Sequence, residues 1–401
     1  MKYKNPILLT SIVHTLLFIP FYLSGFIGSD WDSYALIGSA KIFIEQGIYI
    51  PSRPPGFPLS ELLTLSVINV SEIFNIQFEK VLLVIQYLFL LLSNILLSQL
   101  FKINNRKINF YYLIVMLSPI YIISGFTVID YMAGLVFGYM GVYIFNKQKS
   151  VNSIILISFL FSISIGFRLS NIIFLISLVI YVIFIKKESV LAFKMIFLTT
   201  LLSSIIYGVA YWSLWNTSLK IIYGSNLSEL VCIFNLTNTD HTLLSRLGRF
   251  VIKQTNYLSI LGSILFIINI PKLKFIKLQE NTVYFLIFIL FQLSFVRLPT
   301  EEGHMLPAFI ALFLIISNSN IDFSFKKLIL ILTFISNFLN LNFYVVDEVD
   351  SANSILFTSD IRSGLLIEDY ELRAEKGKNK IYHYQNSVDT LNIAWKNGCP
   401  N

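Results

Sequence analysis

The sequence is poor in charge and in cysteine. Only 13% of its 401 residues are Asp, Glu, Lys or Arg, against 55% apolar residues. So much apolar surface excludes an ordinary water-soluble domain, and a bilayer must solvate it. The two cysteines, Cys232 and Cys399, lack metal-ligand spacing, which leaves a pair and free thiols both open. No repeat of fixed period stands out. No small-residue cleavage site follows the first apolar run, so that run is expected to be a retained helix. Acids are largely missing from the middles of the apolar runs, against the pattern of a transporter that builds its site from broken helices at the bilayer centre.

What remains is a chain of apolar runs. A span needs about 20 mostly apolar residues. Runs at Pro6–Gly28, Lys80–Phe101, Asn109–Thr127, Tyr131–Phe145, Val151–Phe167, Asn171–Ile185, Leu191–Trp215, Tyr257–Ile270, Asn281–Val296, Met305–Ser317 and Lys326–Val346 predict an all-α polytopic membrane protein with about 11 transmembrane helices. Residues 1–346 form the expected membrane domain, and 347–401 a small polar extracytoplasmic tail. The stretch Ser33–Gln46 suits an amphipathic juxtamembrane helix.

The net charge of +7 is scattered between runs and sets orientation better than it suits nucleic acid. If Phe57–Val70 does not cross and the N-terminus is cytoplasmic, the inner connections hold about half of the Lys and Arg residues. Of the 23 acids they hold only Glu188, Glu280 and Asp322. If that run crosses, KINNRK, NKQK, IKKE and PKLKFIK move outside, against the positive-inside rule. The sequence therefore predicts a non-spanning segment behind the Pro54-Pro55 turn. The Ile, Phe, Asn and Lys bias suggests an AT-rich prokaryotic source, and hence a prokaryotic cell membrane.

In that orientation the outer face collects Asp30, Asp32, Arg53, Asp130, Arg168, Arg297, Glu301, Glu302 and His304, together with Asp240, His241, Arg246 and Arg249 in the long loop Asn216–Asn256. Each has an ordinary alternative. Asp30, Asp32 or Asp130 could cap a helix, Arg168 could snorkel to head groups, and Arg297 could pair with the Glu301-Glu302 turn. Together they suit a phosphorylated lipid, since carboxylates accept protons and arginines fork onto phosphate.

Four stretches in order resemble the glycosyltransferase-C superfamily, above all its protein O-mannosyltransferase and aminoarabinose-transferase branch. They are Asp30 with Tyr34, Ala35, Gly47, Arg53, Pro54 and Pro55; Leu117-Ser118-Pro119 leading to Asp130; Gly166 with Arg168; and Glu301, Glu302, Leu306 and Pro307. The chain departs from the pattern at Ser33, Gly303, His304 and Met305. The resemblance implies a first loop of membrane-lying helices over a lipid-open cavity. It also implies inverting transfer of a sugar from a polyprenyl-phosphate donor to a protein, lipid or glycan acceptor. Asp30 would then be the base, with Asp32 or Asp130 orienting the acceptor. Arg53, Arg168 and Arg297 would hold the phosphate, and Tyr34, Glu301, Glu302 and His304 would face the acceptor or support the site. A divalent metal at Asp30-x-Asp32 is the weaker alternative, because an arginine cluster can replace it. A lipid-linked glycan polymerase or ligase, or a flippase, is the competing reading.

Overall fold

The computed structural model describes residues 6–28, 31–47, 52, 56–102, 110–128, 130–147, 151–215, 247–248, 250–254, 260–272, 279–297, 302–319, 323–336, 338–346 and 354–361. It is a helical membrane protein. Its helices are α1 (Pro6–Ser24), α2 (Trp31–Gln46), α3 (Pro58–Ile73), α4 (Phe78–Leu100), α5 (Phe110–Leu117), α6 (Pro119–Phe126), α7 (Tyr131–Lys147), α8 (Val151–Phe167) and α9 (Ile172–Ile180). They continue with α10 (Ser189–Trp215), α11 (Ile260–Asn269), α12 (Gln279–Arg297), α13 (Leu306–Asn318) and α14 (Phe323–Ser336). A π-helical turn at Tyr181–Lys186 prolongs α9. Among the described residues, four segments are by length and composition able to cross a membrane: Pro6–Ser24, Phe78–Leu100, Leu169–Lys186 and Ser189–Gly208. The pair α6 and α7, bent by 110° at Asp130, would make a fifth.

Two expectations need correction. The run Lys326–Val346 is not one span: α14 ends at Ser336, and Leu339–Val346 is a strand, β1, paired antiparallel with β2 (Ser354–Ile361). The alternation in LNLNF is a strand period, which a hydropathy average hides. The pair therefore straddles the expected boundary at residue 346, and the chain departs from a purely α composition there. Second, α2 is not one-faced at its start. Ser33 to Ala40 are buried on all sides, because Ser33, Ala35, Ser39 and Ala40 are small enough for α3 and the α6–α7 break to close over them.

The outer helices are polar inward and apolar outward. In α1 the buried stripe is Thr10, His14, Phe18 and Phe21, while Leu8, Ile12, Leu16 and Leu23 are exposed. In α3 the buried face carries Ser60, Glu61, Thr64, Val67, Ile68 and Ser71, and the exposed face carries Leu62, Val70 and Ile73 together with Ser66, Asn69 and Glu72. The spacing of both stripes is helical, and an apolar outer face of this size belongs in lipid. Pro58 opens α3 at a position where its missing N–H costs nothing. A Schellman motif closes it: Asn75 takes a left-handed φ of 53°, and the amides of Asn75 and Ile76 donate to the carbonyls of Glu72 and Ser71. At its 16 residues α3 is about 24 Å long, short of the roughly 30 Å hydrocarbon core. At the centre, α13 is buried at every residue from Leu306 to Ile316.

The Ser118-Pro119 break between α5 and α6 organises a buried polar network. Proline has no N–H to continue the ladder. The freed Val115 carbonyl accepts the Ser118 hydroxyl at 2.7 Å. His14 Nε2 lies 2.8 Å from the Met116 carbonyl, and Asn94 Nδ2 lies 2.9 Å from His14 Nδ1. A carbonyl only accepts and an amide nitrogen only donates, so His14 is the neutral ring with its proton on Nε2. Tyr121 donates to Asn94 Oδ1 at 2.9 Å, which completes the chain.

Candidate functional site

The site is assembled at helix breaks, where side chains leave the packed faces. Asp130 precedes α7, and its carbonyl accepts the Gly134 amide. Arg168 stands between α8 and α9 in an extended conformation, φ −155° and ψ 118°, followed by a 3-10 turn at Leu169–Asn171. His304 lies in the 3-10 turn Glu302–Met305 that enters α13. These breaks meet in one cluster, although Arg168 and His304 alone are 136 residues apart in the chain.

Arg168 Nη1 donates to Asp130 Oδ2 at 2.7 Å, and the two side chains are 4% and 0% exposed. Arg168 Nε donates to Ser170 Oγ at 3.2 Å. Its Nη2 lies 2.7 Å from Nε2 and 3.0 Å from Nδ1 of His304. A guanidinium only donates, so the His304 nitrogen it engages carries a lone pair. The Tyr131 ring lies against the guanidinium at 4.0 Å, and Phe57 stands at 5.8 Å. A planar cation held on its edges and on one face is fixed in direction. Two glycines allow this closeness. A Cβ at Gly303 would come within 2.4 Å of the Tyr131 ring, and one at Gly134 within 2.1 Å of Asn171 Nδ2. The departure at Gly303 is thus a packing requirement: a larger residue would displace Tyr131.

The first loop reaches the same place. The Val128 amide donates to the Ile27 carbonyl at 2.6 Å, so the chain entering Asp30 runs beside the chain entering Asp130. The buried Tyr34 hydroxyl donates to the Gly28 carbonyl at 2.8 Å and fixes the start of α2. Burial pushes its pKa up to about 12, so it holds position as a neutral donor. Ser60 Oγ donates to the Phe167 carbonyl at 3.3 Å, which docks α3 onto the Arg168 break.

Asp30, Arg53 and Glu301 lie outside the described residues, and for Asp32, Arg297 and Glu302 only the backbone is described. Asp32 is in the first turn of α2, Arg297 closes α12, and Glu302 opens the turn that carries His304. Of the expected site residues, Asp130 and His304 each touch Arg168, and Tyr34 buttresses the neighbouring loop.

Sequence reasoning missed Glu61. It is 3% exposed and accepts the Ser52 amide at 2.7 Å and the Ser52 hydroxyl at 2.6 Å. It thereby ties Ser52 to α3. Glu61 and Asp130 both lie within electrostatic reach of the Tyr207 hydroxyl. The signal was a carboxylate in the first turn of an otherwise apolar run. Among the described residues no group of three or more His, Cys, Asp or Glu could hold a metal ion.

The lipid-facing helices define the class, an integral membrane protein. Comparison of the chain with protein-family models, with curated proteins and with solved structures finds no match.

Proposed function

We propose that the protein is a membrane glycosyltransferase that moves a sugar from a polyprenyl-phosphate donor to an extracytoplasmic acceptor. The observation that carries this reading is the buried Asp130–Arg168 ion pair, built at two helix breaks and joined by His304 from a third. A buried ion pair is a poor way to gain stability. A guanidinium held ready for an anion is a reason to keep one. The step is a single inverting displacement. The acceptor oxygen bonds to the anomeric carbon as the bond from that carbon to the phosphate oxygen breaks. The acceptor proton passes to Asp30, and the polyprenyl phosphate leaves with the electron pair. Asp130 is already engaged with Arg168, so we assign it to holding that arginine. Arg168 stabilises the leaving phosphate, with Arg53 and Arg297 as its partners. The site faces the extracytoplasmic side of a prokaryotic membrane, with the N-terminus cytoplasmic, on the strength of the loop charges.

The test supplies membranes containing the protein with labelled polyprenyl-phosphate monosaccharides. Transfer is expected from at least one donor, and Asp30→Asn should slow it by about 10²–10⁴-fold. An unimpaired Asp30→Asn rejects the base assignment. Transfer from diphosphate-linked oligosaccharides alone would move the protein to the polymerase or ligase class.

A further inference from the structure

Behind the ion pair is a second small cavity, between α3, α4 and the Asp130 break. Ser60, Thr64, Gln86, Asp130, Leu36 and Phe167 are among its lining residues. Its free volume, about 10 Å³, holds one water-sized group. Gln86 is 7% exposed, and its Oε1 is buried with no hydrogen-bond partner. An unpaired buried carbonyl costs about 1–3 kcal/mol, so its retention in a cavity wall calls for a reason.

The other polar groups in the wall share its character. The Ser60 hydroxyl spends its proton on the Phe167 carbonyl, and the Thr64 hydroxyl donates to the Ser60 carbonyl at 2.8 Å. Both therefore turn lone pairs toward any newcomer. Asp130 is a carboxylate whose charge Arg168 offsets. Apart from the Gln86 amide nitrogen, these polar groups are acceptors without net charge, which suits a neutral donor the size of one hydroxyl. The guanidinium of Arg168 lines a separate small cavity with His304 and Tyr131. The ion pair stands between the two cavities, one equipped for an anion and the other for a hydroxyl.

We propose that Gln86, with the inward face of α3, is the specificity subsite for one ring hydroxyl of the donor sugar. The proposal rests on the transferase reading and adds which part of the substrate is recognised, and by which residue. Gln86 accepts the hydroxyl hydrogen, and Ser60 and Thr64 accept from or exclude water around it.

The experiment uses the full chain in lipid nanodiscs. Thermal unfolding is followed with polyprenyl phosphate alone and with polyprenyl-phosphate mannose, glucose, galactose and arabinose, for the parent, Gln86→Met and Gln86→Leu. At least one sugar lipid should bind more tightly than bare polyprenyl phosphate. Both variants should lose about tenfold of that added affinity, the size of one hydrogen bond, and keep the affinity for bare polyprenyl phosphate. Without ligand they should be as stable as the parent or more so, since the group removed has no partner. If the sugar increment survives in both variants, the subsite is wrong and the transferase reading stands. If both variants unfold early or do not fold, Gln86 holds a structural water only, and the proposal is overturned. If bare polyprenyl phosphate binds and no sugar lipid adds to it, the subsite is again rejected. If no lipid phosphate binds, the transferase reading fails first and takes the subsite with it.

Discussion

The His14 network and the Asp130 cluster are both buried, yet they are built on opposite plans. His14, Asn94 and Tyr121 sit within helices, are neutral, and hydrogen-bond to a carbonyl, a ring nitrogen and an amide oxygen of the same network. Asp130, Arg168 and His304 sit at helix breaks, two of them carry charge, and each flanks a small cavity or its wall. A closed, neutral network fixes how α1, α4 and the α5–α6 break pack, and nothing more is asked of it. An arginine locked by an acid beside a small cavity is, on the proposed reading, held for the donor phosphate.

This contrast can be tested by breaking each side of it. The largest effect is expected at Asp130→Asn, which leaves Arg168 buried without its counter-charge. The loss should be about 3–5 kcal/mol in thermal unfolding, and Asp130→Asn/Arg168→Gln should recover part of it. If the single change leaves stability intact, the ion pair is not what holds the breaks together. His14→Leu should cost about 1–3 kcal/mol by stranding the Met116 carbonyl and Asn94. Transfer per folded molecule should stay at the parent level, and a variant that is stable but inactive would abolish the distinction between the two clusters. Tyr34→Phe should have the smallest effect at neutral pH, about 1 kcal/mol for the lost bond to Gly28. It has a further signature. The folded pKa of about 12 lies above the ordinary value of 10.0, so the folded form keeps its proton longer. Stability from this group is whole below pH 10 and falls as pH rises toward 12. Unfolding curves across that window should be flatter for Tyr34→Phe than for the parent.

The two clusters also differ in how readable they were. Asp130, Arg168 and His304 stand out in the sequence because each interrupts a boundary between apolar runs, where a polar residue has few structural reasons to be. His14 and Asn94 do not, because their value depends on the Met116 carbonyl beside the Ser118-Pro119 break, over a hundred residues away from His14. Glu61 and Gln86 escaped for a related reason. Each lies inside an apolar stretch, and only the inside-out pattern of α3 and the packing of α4 show which face meets the interior. The helices themselves were legible, since most expected runs fall on helices of the structure. The last run was misjudged because its mean hydropathy concealed an alternating period. The start of α2 was misjudged because small residues let neighbours cover what looked like an exposed face.

On the proposed transferase reading, the form of α3 sets how far a lipid-linked donor would travel. Leu62, Val70 and Ile73 are exposed on one side, and Ser60, Glu61, Thr64 and Ser71 meet the interior on the other. One helix diameter, about 10 Å, is all that parts the two environments. A prenyl tail could therefore stay among the lipids while its polar head rests beside Asp130, and detergents that strip the lipid from α3 would remove one wall of that doorway.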